Sequence, residues 1–115
     1  MGLNKRFWKN KRVLVTGHTG FKGSWLCALL NIISVKTYGF SLPPTTNPNL
    51  FSLLKNSINV NSIIGDITDF NSISRAIDEI QPEIIIHMAA QSLVRHSYKF
   101  PIETYKTNVM GTINL

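Results

Sequence analysis

A doubly wound α/β fold around a parallel sheet is the class this sequence predicts, and three observations carry the prediction. Four short apolar runs of strand type alternate with stretches of helical period, turn-forming residues separate them, and the first run leads into three glycines spaced by three. Strands joined through helices of this length are parallel, with right-handed crossovers. At 115 residues the chain makes one domain at most.

The elements follow in order. Val13 to Val15 is the first strand, apolar at consecutive positions because both faces of such a sheet are covered. Leu26, Leu29, Leu30 and Ile33 recur at helical spacing and predict an amphipathic helix with that stripe on the core. Val35 to Phe40 reads as the second strand, Ser41 to Asn49 as a loop rich in Pro, Thr and Asn, and Leu50 to Leu54 as a short helical turn. Val60 to Ile64 is the third strand. Phe70, Ile73, Ile77 and Ile80 predict a second long helix, capped near Asp69 and stopped by Pro82. Ile84 to Ile86 is the fourth strand, and Pro101 suits the first turn of a last helix whose apolar side is Tyr105, Val109 and Ile113. No Gly or Pro stop signal follows Asn114 and Leu115, so the sequence reads as the front of a longer, truncated fold.

Composition sets limits on the partners. The chain is 43% hydrophobic and 16% charged, the balance of a globular protein. Its apolar runs fall far short of the ~20 residues that span a bilayer, so no membrane partner is expected. One cysteine, Cys27, closes no internal disulfide, and the basic start has no apolar segment behind it, which predicts a cytoplasmic protein. Of the net charge of +6, residues 1–65 supply eight cations and no acid, a distribution suited to an anionic ligand. Lys5 to Arg12 interleaves its charges with Phe7 and Trp8, as a nucleic-acid contact would. A solvated basic tail over 1–12, its two aromatics packed on the first strand, accounts for the same residues, and no nucleic-acid partner is expected.

The most specific feature is the run Val15-Thr16-Gly17-His18-Thr19-Gly20-Phe21-Lys22-Gly23, a buried strand passing through three glycines into a helix. This is the Rossmann-type context for a dinucleotide pyrophosphate. Gly17 permits the tight turn, Gly20 lets backbone approach the phosphates, and Gly23 lets the helix pack closely on the sheet. The free N–H groups of the first helical turn then face the anion, and Lys22 adds charge. A Walker A loop would place Lys after its second glycine, whereas here Lys22 precedes Gly23.

Cofactor choice stays open from these residues. The second strand ends Tyr38-Gly39-Phe40-Ser41, with neither the acid of an NAD site nor an Arg, although Ser41 is placed to bond a ribose. Asp66 and Ile67, after the third strand, suit an adenine: the carboxylate accepts from the amino group and the isoleucine covers the ring. Helix capping is the plainer role for Asp66. Ala89, Ala90 and Gln91, at the fourth strand's end, let a ligand lie against backbone, and His87 reads as a satisfied core histidine rather than a catalyst. His18, His87, His96 and Cys27 lack metal-ligand spacing, and Cys27 reads as packing.

These motifs resemble the extended short-chain dehydrogenase/reductases that act on nucleotide sugars, the NAD-dependent epimerases and dehydratases. The resemblance runs from Phe7 to Leu115 and includes the glycine loop, Asp66-Ile67, Ala89-Ala90-Gln91 and Asn108-Val109-Met110-Gly111-Thr112. Phe7-Trp8-Lys9, His18 to Trp25, Pro44 to Phe51 and Leu93-Val94-Arg95 are similar to its 4,6-dehydratases in particular, while Ser92 and His96 stand where Pro and Arg are commoner. The resemblance implies a lyase of surface-polysaccharide synthesis, in full length a homo-oligomer. In that family bound NAD takes a hydride from the sugar C4, water leaves across C5 and C6, and the hydride returns to C6. It favours NAD over NADP, with Thr19 to Lys22 on the pyrophosphate, Asp66 and Ile67 on the adenine, and Ala89 to Gln91 on the ribose and nicotinamide. Arg95 and Ser97 are weaker candidates for the sugar side.

One family element is missing from the sequence. Its acid/base Tyr-x-x-x-Lys has no counterpart, because Tyr38, Tyr98 and Tyr105 are followed four residues later by Leu42, Ile102 and Val109. The expected plan is thus the N-terminal part of an NAD(P)-binding domain over 13–115, with no catalytic residue of its own.

Overall fold

The computed structural model describes Gly2 and residues 4–115. After a short helix α1 (Lys5–Trp8) come β1 (Arg12–Thr16), α2 (Phe21–Ile32), β2 (Lys36–Ser41), α3 (Leu50–Leu54), β3 (Val60–Ile64), α4 (Phe70–Ile80) and β4 (Ile84–His87). The chain ends in α5 (Val94–Lys99), α6 (Pro101–Tyr105), a π-helical segment (Lys106–Met110) and α7 (Gly111–Ile113). All strand pairs are parallel, in the order β3-β2-β1-β4. The first connections run outward from β1, and the crossover through α4 then returns the chain to its other side. The β1/β4 boundary is therefore the topological switch point, where such sheets bind ligands beyond the strands' carboxyl ends.

β1 is central, and its continuous apolar run reflects burial on both faces. Val13 and Val15 pack with Cys27, Leu30 and Ile33 on one side, and Leu14 packs with Phe40, Ile73, Ala76 and Ile80 on the other. Burial pushes the Cys27 thiol up to about 11, so it stays a neutral packing group. α4 keeps its predicted bounds: Asp69 Oδ1 accepts the Ser72 N–H at 3.3 Å, and Gln81 closes the helix with φ at 48°.

Three sequence expectations change. Of the predicted α2 stripe, Leu30 and Ile33 are buried and Leu26 packs on the core, but Leu29 is 48% exposed and Cys27 is buried instead, because the close approach at Gly23 decides which side meets the sheet. Phe70, expected on the α4 stripe, is exposed; the buried positions are Ile73, Ala76 and Ile80. Residues 5–8 form a helical turn capped by Asn4 Oδ1 on the Phe7 N–H at 3.2 Å. Trp8 packs against the Val13 cluster while Phe7 stays exposed.

The basic charge also lies elsewhere than the ligand argument supposed. Lys11 Nζ is 2.9 Å from Glu83 Oε1, and the Arg12 N–H donates to Glu83 Oε2 at 3.0 Å, both at the amino-terminal edge of the sheet. The Arg12 N–H, then Lys11, holds the Glu83 carboxyl below its ordinary value.

Candidate functional site

A cleft of about 1150 Å³ opens at the carboxyl ends of the strands. Gly17, Thr19, Gly20, Phe21, Lys22 and Gly23 line it from the glycine loop, Ser41 from β2, Asp66 and Ile67 from beyond β3, and Ala89 and Ala90 from beyond β4. Eleven of the twelve residues proposed from sequence for cofactor contact thus share one cavity. Lys22 is the only lining cation that comes from the acid-free first half; Lys106, Asp66 and Glu103 balance it. Attraction for an anion therefore rests on oriented backbone more than on side-chain charge.

The three glycines have separate reasons. Gly17 adopts φ +74°, and a Cβ there would lie 2.8 Å from the Ala89 nitrogen. A Cβ on Gly23 would overlap the Gly17 carbonyl oxygen, so the loop and the first turn of α2 are in direct backbone contact. At Gly20 a Cβ would meet only the Gly17 oxygen, at 3.3 Å, a tight contact, and the fold asks less of that position than of the other two. Gly20 is the N-cap of α2 and supplies no side-chain cap, leaving the N–H groups of the first turn without an intrahelical partner beside the cleft.

Beneath the loop lies His18, fully buried. Its Nε2 is 2.6 Å from Ser62 Oγ, its ring stands edge-on to Phe51 with centroids 5.1 Å apart, and a Cβ on Gly39 would overlap it. Burial pushes its pKa down to about 4, with the Phe40 backbone acting the other way. A neutral ring thus ties the glycine loop to β2 and β3.

At the far rim a chain of hydrogen bonds fixes the end of β4. Thr16 Oγ1 accepts the N–H groups of Met88 at 3.0 Å and Ala89 at 3.1 Å, so its own hydrogen goes to His87 Nδ1 at 2.7 Å. That assigns His87 as the neutral ring with hydrogen on Nε2, which donates to Thr112 Oγ1 at 3.0 Å. Thr112 in turn donates to the Asn108 carbonyl at 2.6 Å. Burial lowers the His87 pKa, in keeping with a ring that has no room for a second proton. Asn108 clamps Gln91 twice, accepting its N–H at 2.8 Å and donating to its carbonyl at 3.0 Å.

Other proposed residues are placed differently. The Gln91 side chain bonds Leu93 and Thr104 and does not line the cleft. Ile67 lines the cleft but is 5% exposed, sealed by Gly111, where a Cβ would come within 2.6 Å of its Cγ2. Asp66 Oδ1 accepts the Thr68 N–H at 2.8 Å in a turn ahead of α4, whose cap is Asp69, while the residue stays exposed at the cleft. Arg95 and Ser97 sit on α5, outside the lining, and Ser97 Oγ donates to the Val94 carbonyl at 2.6 Å. Thr16, Asn108 and Thr112 escaped assignment; Asn108 and Thr112 do carry the Asn-Val-Met-Gly-Thr pattern, but only the fold brings them to β4. Among the described residues no group of three His, Cys, Asp or Glu is placed to hold a metal ion, and no helix is long and apolar enough to cross a membrane.

Comparison with known proteins agrees with this geometry. CDP-glucose 4,6-dehydratase of Salmonella typhimurium is 52% identical over 98% of this chain, which spans 32% of that relative. The X-ray structure of Pen from Bacillus thuringiensis superposes with a TM-score of 0.78 at 30% identity, over 94% of this chain and 33% of that one. Thermus thermophilus UDP-glucose 4-epimerase, solved in complex with NAD, gives 0.77 at 28% identity, over 90% and 32%. The chain thus spans about a third of the length of these proteins. The fold is accordingly the NAD-binding type of the epimerases and dehydratases. With residues 14–115 matching the model of the GDP-mannose 4,6 dehydratase family, both rims of the cleft inside that span, the chain belongs to that family.

Proposed function

We propose that this chain is the cofactor-holding part of a nucleotide-sugar 4,6-dehydratase, with NAD in the cleft and CDP-glucose as the substrate of the whole enzyme. The observation that carries the reading is the glycine rim. Gly17 and Gly23 are required by the fold, whereas Gly20 borders the cleft with one tight contact, its Cβ position lying 3.3 Å from the Gly17 oxygen, and leaves the backbone open to a ligand. The 52% identity to a CDP-glucose 4,6-dehydratase supports the substrate.

When bound, NAD supplies a hydride acceptor that can return the hydride. The residues of this chain do the holding. The first turn of α2, with Thr19 to Lys22, receives the pyrophosphate; Asp66 accepts from the adenine amino group; and Ala89 and Ala90 leave room for the ribose and nicotinamide against the backbone. Gln91 contributes by holding the backbone, through the Asn108 clamp and its carboxamide on Leu93, rather than by contact with the cofactor. Without Tyr-x-x-x-Lys the chain by itself turns over no substrate.

Calorimetric titration of the 115-residue chain with NAD tests the reading. Saturable binding that is lost in a Gly20→Val chain whose circular dichroism shows it still folded supports it, since the valine blocks the phosphates. A folded chain that takes up no NAD, or whose binding survives Gly20→Val, contradicts it.

A further inference from the structure

The end of β2 carries neither the acid that reads a ribose 2′-hydroxyl nor an arginine that reads a 2′-phosphate, yet its hydrogen bonds treat the two unequally. Thr19 Oγ1 lies 2.8 Å from the Leu42 carbonyl oxygen and 2.9 Å from Ser41 Oγ. A carbonyl cannot donate, so the single hydroxyl hydrogen of Thr19 goes to Leu42. Ser41 then has to supply the hydrogen between the two hydroxyls. Its donor is committed inward, and what it keeps for the cleft is an oxygen lone pair.

Two further features make this arrangement selective. Thr19 is 7% exposed, so packing holds the relay in one orientation. Pro43 and Pro44 also line the cleft, and neither has a backbone N–H. From Ser41 to Pro44 the prolines offer no backbone donor and the serine hydroxyl offers an acceptor, beside the single N–H of Leu42. The lining cations Lys22 and Lys106 stand on the first turn of α2 and in the π-helical segment, not on this rim. A ribose 2′-hydroxyl brings the hydrogen that Ser41 accepts. A 2′-phosphate brings oxygens and negative charge, which face another oxygen.

We propose that Thr19 sets Ser41 as a 2′-hydroxyl selector, so that this cleft takes NAD and rejects NADP. The inference rests on the dinucleotide reading above and deepens it by naming the residues that choose the cofactor. Ser41 is the specificity residue, and Thr19 acts through it as a positioning residue.

Parallel calorimetric titrations of the folded chain with NAD and NADP test the proposal. The parent is expected to bind NAD at least ~10-fold more tightly, the scale of one satisfied against one frustrated hydrogen bond. Thr19→Val releases the Ser41 hydrogen and should narrow the preference to within ~3-fold, while Thr19→Ser, which keeps the relay, should retain it. Ser41→Ala should weaken NAD by roughly 10-fold and leave NADP unchanged, and it carries the test should Thr19→Val fail to fold. Equal affinities in the parent, or a preference that survives both Thr19→Val and Ser41→Ala, overturn the selector and leave the dinucleotide site standing. Binding of neither dinucleotide removes the site and the selector together.

Discussion

At the glycine rim of the cleft, backbone lies against backbone: a Cβ on Gly23 would overlap the Gly17 carbonyl, and one on Gly17 would press on Ala89. At the β4 rim, Thr16, His87, Thr112, Asn108 and Gln91 form one line of hydrogen bonds from the central strand to the last helix. The first rim is held by steric exclusion at Gly17 and Gly23, above the buried neutral ring of His18. The second is held by donors and acceptors whose directions require a neutral histidine. Rigidity of the same cleft thus has two physical origins, and perturbations can separate them.

The largest effect is expected where exclusion is strictest. Gly23→Ala drives a Cβ into backbone that has no rotamer to change, and should cost about 3 kcal/mol or prevent folding, as read by urea denaturation. Acid acts next. His18 is neutral in the fold with its pKa lowered to about 4, so the unfolded chain takes up the proton first as pH falls from 6.5. Stability is full above about pH 6.5 and declines toward pH 4, by about 2 kcal/mol between pH 7.5 and 5 from His18 alone, with His87 adding in the same direction. A flat stability profile over that range would remove the neutral-histidine account.

Asn108→Ala sharpens the contrast at the β4 rim. It strips partners from both the N–H and the carbonyl of Gln91, and should cost about 1–2 kcal/mol with faster amide exchange at Gln91. Amides of the glycine loop should be unaffected. The smallest effect belongs to Gly20→Ala, whose Cβ meets one atom at 3.3 Å; it should change stability by about 0.5 kcal/mol or less while weakening NAD. A loss as large as that of Gly23→Ala would place Gly20 among the packing glycines.

The two rims were also unequally legible in the sequence. Three glycines at fixed spacing after a buried strand report a steric requirement that is local, and the residues beside them fell into one cavity. The network at β4 joins Thr16 to positions more than seventy residues away, and no local pattern announces it. The short helices α1 and α5, unlike α3, were missed for a related reason. α5 has no buried residue, and α1 depends on one cap and on Trp8 reaching the core. The π-helical segment contains the Asn108 clamp and is followed by the seat of Gly111 on Ile67, two tertiary contacts that no local pattern announces. β1 and α4 were readable because burial imposes its period directly on the residues, and the other strands because β-branched and aromatic residues stand between turn signals. Charge was misleading in location, since Lys11 and Arg12 meet Glu83 at the edge opposite the cleft.

The measurement that tests the central claim most directly is amide chemical-shift mapping of the isotope-labelled chain during titration with NAD. The account predicts saturable shifts that cluster at Gly17 to Gly23, at Ser41, and at Met88 to Gln91, with the amino-terminal edge around Glu83 unmoved. No saturable shifts in a folded chain, or shifts centred away from these two rims, would contradict it.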